Sequence, residues 1–397
     1  MSLPKTVHVL GGGQWQVPTI RLAKSLGYRV LVTDIYRDRP GYALADEHAV
    51  MDIADREGTL RIAAQHHIDG IACDTTDVGV PTMAYVAERL GLPGIGYETA
   101  LNFTNKHRMR EITSRAGVPN PPFRLVRRLD EARRALFDLG LPAVLKPIDN
   151  QSSRGVHIIR DCDQLELAYA DAGQFARTGD LLVEGFLDGT EVTVESFCVS
   201  GEVFTVGISD KDHFPQRPEV ANRLTYPADF PPAILARIRQ VNELVLRTLG
   251  MRTGVAHAEY MVVRGEVYLV EIAARGAGSF VYSHIVPYLA GADVPRAYLE
   301  FLTGGSMGIR PDNQPRSANL AFFSFPSGKV RSVTGVEEAR RLPGVQKILL
   351  EFGPGDELKP PADDRSRPGL AVIFGRTRAE VLAVTDQVFQ SVQVHVE

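Results

Sequence analysis

Little in this chain points to the outside of a cell or to a membrane. Its only three cysteines, Cys73, Cys162 and Cys198, are spread over 397 residues. They are too few and too far apart for a disulfide framework or a zinc site, and they fit a reducing cytosol. No apolar run reaches transmembrane length, and residues 7–10 already read as a strand, which leaves no room for a signal peptide ahead of them. Net charge is −4 with no long basic run, which argues against nucleic acid or an acidic membrane surface as a partner. There is no G-x-x-x-x-G-K-[ST] loop and no G-x-S-x-G elbow, which excludes a P-loop and a serine-hydrolase nucleophile. Repeats and low-complexity tracts are absent as well. A cytoplasmic enzyme of two or three domains is the expectation.

What is present is an ordered alternation of short apolar runs and amphipathic segments. Over residues 5–100, strands at 7–10, 29–35, 49–53 and 69–74 alternate with helices at 19–26, 58–67 and 81–90, which predicts a parallel sheet covered by helices. Gly11-Gly12-Gly13 follows the first strand, and Asp34 ends the second, as in a dinucleotide fold. Gln16 holds the position of the third glycine, however, and breaks that fingerprint. A helix over 104–115, with Thr104 as its N-cap, leads into a linker at 119–122. Lys106 lies in its first turn, where a lone lysine is ordinarily a solvated charge.

A strand at 141–146 ends in Lys146. The loop Asn150-Gln-Ser-Ser-Arg-Gly155 then runs into a strand at 156–160. Hydroxyls, glycine and backbone N–H groups in such a flap suit phosphate oxygens, although an unliganded hairpin turn has the same composition. Strands at 181–187, 190–199 and 202–210 follow, then a helix over 230–249. Residues 281–303 read as helical. From about 315 the chain becomes strand-rich and closes with a helix.

Between them lies the most informative stretch, residues 255–280. Strands at 255–263 and 267–273, joined by a three-residue loop at Arg264-Gly265-Glu266, pair Val263 with Val267 and therefore Glu259 with Glu271 on one face. Two carboxylates this close call for a cation, and a divalent metal fits. A two-residue turn would instead put them on opposite faces. Arg275 follows two residues past the second strand.

In this order the pieces resemble the ATP-grasp superfamily of ligases, most closely the carboxylate–amine ligases similar to L-amino acid ligases. The resemblance spans roughly residues 1–310 and is weaker beyond. It implies an α/β N-terminal domain over 1–103 and an ATP-grasp domain over 104–310 whose flap subdomain covers about 123–187. A small α+β domain would occupy 311–397. It also implies roles. Lys106 and Lys146 hold ATP phosphates beneath a flap carrying Ser152, Ser153 and Gly155. Gly185, Phe186 and Leu187 meet the adenine edge with Glu184 near its amino group, and Glu191 takes the ribose hydroxyls. Glu259 and Glu271 hold magnesium, with manganese as the alternative. Arg275 holds the acyl phosphate and the tetrahedral intermediate.

The usual E-x-N-x-R run is here Glu271-Ile-Ala-Ala-Arg275, so Ala273 replaces a ligating asparagine. A water or His257, which faces Ala273 in this register, would fill the gap. That change is familiar from ligases resembling the L-amino acid ligases, whereas the triple-glycine opening resembles the purine branch. The expected activity is ATP-dependent ligation of a carboxylate to an amine, with ADP and phosphate released. The alternative is a bicarbonate-using carboxylase of purine or biotin type. Gln14, Trp15, Asp77, Tyr282 and His284 are substrate-pocket candidates, and His257 or His284 is the candidate base. Small-molecule substrates and a homodimer are the expected partners, with no nucleic acid and no membrane.

Overall fold

A computed structural model describes residues 4–150 and 153–397. Strands Thr6–Leu10 (β1), Arg29–Asp34 (β2), Glu47–Val50 (β3) and Gly70–Ala72 (β4) form a parallel sheet in the order β3-β2-β1-β4. β1, β2 and β4 are near-continuous buried runs, as expected of strands covered on both faces. The first helix, Val17–Ser25, starts two residues earlier than periodicity suggests because Pro18 fits its first turn. Asp55 caps Arg56–Gln65 by accepting from Gly58 N at 2.9 Å.

The linker region departs from expectation. Thr104 does not cap a helix but ends one, Tyr97–Thr104. Asn105 is the cap of the next, Lys106–Arg115, its Oδ1 accepting from Arg108 N at 2.9 Å. Turning the chain at Asn105 points Lys106 inward, and the lysine is 6% exposed rather than solvated.

Strands Phe123–Val126 (β5), Ala143–Pro147 (β6), His157–Ile159 (β7) and Leu181–Gly185 (β8) form an antiparallel sheet, ordered β5-β8-β6-β7. Helices Leu129–Leu139 and Leu165–Phe175 cover it around a core of its own that includes Val126, Leu136, Leu145 and Val183.

The third sheet is the largest among the described residues, with eight strands. Thr190–Val199 (β9), Glu202–Phe214 (β10), Arg217–Tyr226 (β11), Gly254–Val263 (β12), Glu266–Ala273 (β13) and Ser317–Phe322 (β14) belong to it. Gly328–Thr334 (β15), Val345–Leu350 (β16), Glu357–Leu358 (β17), Gly369–Gly375 (β18) and Gln393–Val396 (β19) complete the strands among the described residues. The eight-stranded order is β13-β12-β9-β10-β11-β14-β18-β16, and β15 pairs with β17 and β19 apart from it. Strands from the C-terminal segment therefore extend the central sheet, with Tyr226 opposite Ala318.

β10 runs past Asp210 through Lys211-Asp-His-Phe, and β11 was not foreseen. Charged side chains facing a cavity hide the apolar alternation there. The segment 281–303 is not one helix. A wide turn at Val281–Ile285 leads into Val286–Ala290, Gly291 breaks it at φ +61°, and Asp293 caps Val294–Leu302. No helix among the described residues is long and apolar enough to cross a membrane.

Candidate active site

The β12–β13 hairpin reaches the expected pairing by an unexpected route. Its turn has two residues, not three: Val263 pairs with Glu266, and Arg264 and Gly265 both take positive φ, +49° and +87°. Such a turn matches the natural twist of the strands. Carried on regularly, it would set Glu259 against Val270 and send Glu271 to the far face. A β-bulge next to Tyr260 absorbs Val270, however, and Glu259 lies directly opposite Glu271. His257 faces Ala273 in the same register. Across the sheet Thr193 lies beside Glu259, and Glu191 beside Met261.

Lysines from two other elements meet these carboxylates, and two further cations pair with carboxylates nearby. Lys106 Nζ sits 2.7 Å from Glu271 Oε1 and donates to the carbonyl of Asn150 at 2.6 Å. Lys211 Nζ bridges Glu191 and Glu259 at 2.7 and 2.8 Å. Lys146 Nζ lies 2.7 Å from Glu184 Oε2, whose other oxygen takes Arg110 Nε at 2.7 Å. Arg275 grips Asp77 with two donors, Nε at 2.7 Å and Nη2 at 3.0 Å, joining the hairpin to the N-terminal domain.

Burial and charge oppose each other at Glu184, Lys146, Glu259, Lys211 and His257. Burial alone would raise the Glu184 carboxyl, but Arg110 and Lys146 hold it at about 2. Burial lowers the Lys146 ammonium, and Glu184 offsets only part of that. Burial would likewise raise Glu259, yet Lys211 and His257 keep it well below the usual carboxylate range. Lys211 is raised by Glu191 and Glu259 against the effect of burial. His257 would be lowered by burial, but Glu195, 2.8 Å from Nδ1 and 1% exposed, lifts it to about 9. Beside Glu195 the ring favours its protonated form, in which it holds a proton rather than taking one from the amine.

Apart from the supports Arg110 and Glu195, these groups line one cavity of about 1200 Å³. Lys106, Lys146, Ser153 and Glu184 through Leu187 border it from the flap side, and Glu191, His257, Glu259, Glu271 and Arg275 from the central sheet. Gln14, Trp15 and Asp77 border it from the N-terminal domain. Gly155 does not reach it; at φ +69° it packs by Phe175 and Ala172. Ser152 lies outside the described residues. Tyr282 and His284 are not on the cavity wall either. The wide turn after Phe280 sends Tyr282 back over Gly276, where any side chain would collide with its ring, and leaves His284 edge-on to Phe280 at 5.0 Å.

The triple-glycine loop is tied down from within. Asp34 Oδ2 accepts from Gly12 N at 2.9 Å, and Gln16 bonds Thr75 across the cavity rim. Sequence reading missed Lys211, His213, which lies 3.0 Å from Glu191, and the buried supports Arg110 and Glu195.

Glu259 and Glu271 offer hard oxygen donors on one face, the chemistry a divalent cation prefers. Among the described residues no group of three or more His, Cys, Asp or Glu forms a closed cage. A cation here would take further oxygens from a bound substrate, the usual arrangement for magnesium at phosphates.

Comparison with known proteins agrees with this architecture. A family profile for the ATP-grasp domain matches residues 139–283, and one for the L-amino acid ligase C-terminal domain 2 matches residues 321–397. The chain is 30% identical over 277 residues to a formate-dependent phosphoribosylglycinamide formyltransferase of Rhodococcus jostii (strain RHA1), covering 68% of each. It is 25% identical to the alanine–anticapsin ligase of Bacillus subtilis, over 74% of this chain and 66% of that protein. An L-amino acid ligase from Bacillus licheniformis shares the fold, with a TM-score of 0.84 at 22% identity over 100% of both chains. The chain belongs to the ATP-grasp family of carboxylate–amine ligases, enzymes that use ATP and divalent metal ions.

Proposed function

We propose that this protein activates a carboxylate as an acyl phosphate and joins it to an amine, with an amino acid as one substrate and release of ADP and phosphate. The observation that carries the reading is the carboxylate pair Glu259–Glu271 set among Lys106, Lys146, Lys211 and Arg275 in a single cavity. A carboxylate approaching a triphosphate brings anion to anion, and this many fixed cations lower that barrier without reorganisation.

Lys106 and Lys146 are assigned to phosphate oxygens, Glu184 and the backbone of Gly185–Leu187 to the adenine edge, and Glu191 to the ribose. Glu259 and Glu271 would hold magnesium or manganese, which neutralises phosphate charge when bound. In the first step a carboxylate oxygen bonds to the γ-phosphorus and the bond to ADP breaks. In the second the amine nitrogen bonds to the acyl carbon, phosphate leaves, and the amine loses a proton. Arg275 faces the developing oxyanion, and Asp77 fixes the plane of its guanidinium. His257, held as a cation by Glu195, adds positive charge beside Glu259.

The identity to the Rhodococcus formyltransferase favours a second reading in which the acid is formate. ADP release measured with amino acids, formate and bicarbonate, each with and without an amine, tests both. Release that needs an amine together with an amino acid supports the first reading, and release that needs formate supports the second. Strict dependence on bicarbonate would overturn both.

A further inference from the structure

The bulge that brings Glu271 opposite Glu259 is tethered from outside the sheet. Arg110, on the helix Lys106–Arg115, is 0% exposed and spreads its guanidinium over three segments. Nε donates to Glu184 on β8 at 2.7 Å, Nη2 to the carbonyl of Val270 at 2.6 Å, and Nη1 to Asn120 Oδ1 at 3.3 Å. Val270 is the residue that the bulge leaves without a partner on β12, and β13 is an edge strand of its sheet. Without Arg110 its carbonyl, half-buried at the cavity edge, would lose its side-chain partner on the unpaired side of the strand, which is destabilising. The preceding residue, Leu269, donates its N–H to Pro119 O at 3.0 Å, so the helix Lys106–Arg115 and the linker after it both hold the chain where the bulge begins.

We propose that Arg110 is a positioning residue that fixes the Val270 bulge, and with it the register of Glu271, while it clamps Glu184 beside Lys146. The inference rests on the ligase reading, in which Glu259 and Glu271 hold a divalent cation. Arg110 does not border the cavity. It acts through the residues it holds. A lysine at this position keeps the charge facing Glu184, but its compact head group cannot span Glu184 and Val270 as the planar fork does.

The test uses the full chain, Mn2+ followed by electron paramagnetic resonance in the presence of a non-hydrolysable ATP analogue, and hydrogen exchange over residues 266–273. In Arg110→Lys, Mn2+ affinity should fall about tenfold or more, as when a group supporting a metal ligand is removed. Amides of 270–273 should exchange faster, while binding of the analogue without metal is little changed. Unaltered Mn2+ affinity and exchange would overturn the proposal. Deletion of Val270 is the second variant, because a regular two-residue hairpin then sets the glutamate opposite Glu259 without a bulge. In that background Arg110→Lys should add no further loss of Mn2+ affinity, and an equal loss in both backgrounds would overturn the tether. Wild-type protein that binds no Mn2+ with the analogue would sink the ligase reading itself, an outcome distinct from a wild type that binds and a variant that matches it.

Discussion

Two lysines already sit on the two carboxylates of the hairpin, Lys106 on Glu271 and Lys211 on Glu259. The site is thus built around a charge balance that a nucleotide and its metal would rearrange. Glu271→Gln keeps the size of the side chain and removes one negative charge and one ligand. Turnover should fall by orders of magnitude with the fold intact, and Glu259→Gln should behave alike. The double variant should cost little more than either, since the pair works as one unit. Multiplicative losses in steady-state kinetics would separate the two. His257 makes a second prediction. Its pKa in the fold, about 9, lies above the ordinary 6.5. The stability it contributes is therefore complete below about 6.5 and lost as pH rises through about 9. Urea unfolding of wild type and His257→Gln across that window should show the gap between them closing toward alkaline pH. Most residues of the site were legible because their order along the chain is distinctive. Lys211 was not, since Asp-Lys-Asp-His in isolation reads as a solvated turn.

The hairpin shows how far patterning goes at the scale of an element. Alternation on each strand found both glutamates, but it implied a three-residue loop where there is a two-residue turn and a bulge. A bulge residue such as Val270 is apolar like its neighbours, so nothing local marks it. What marks it is the partner for its carbonyl, Arg110, far back in the chain. The flap is the other element with a consequence. Ser153, Arg154 and Val156 border the cavity between β6 and β7, away from the flap's own core. Nucleotide binding should therefore slow exchange over 153–159 far more than in the helices behind it. Equal protection with and without Mg·ATP would argue against a lid.

Across the whole molecule, three bodies of chain wall one cavity, and the parallel N-terminal sheet was readable because its partners are near neighbours in sequence. The extension of the central sheet by β14, β18 and β16 was not, because a strand's pattern states its period and not its partner. The pair Arg275–Asp77 is the direct charge link between the hairpin and the N-terminal domain. Both side chains are largely buried, 14% and 15% exposed, so each charge offsets the other's desolvation cost. Asp77 is held below its usual range chiefly by Arg275, against burial that would raise it. Asp77→Asn leaves a buried guanidinium without its counter-charge. Breaking such a pair costs on the order of 3 kcal/mol, and the remaining exposure reduces that somewhat. The urea midpoint should drop accordingly, and turnover should fall because Arg275 is no longer held in plane. Affinity for a nucleotide analogue should hardly move, since the flap and Lys146 are untouched. Loss of nucleotide affinity equal to the loss of turnover would instead mean that Asp77 supports the whole cavity rather than Arg275 alone.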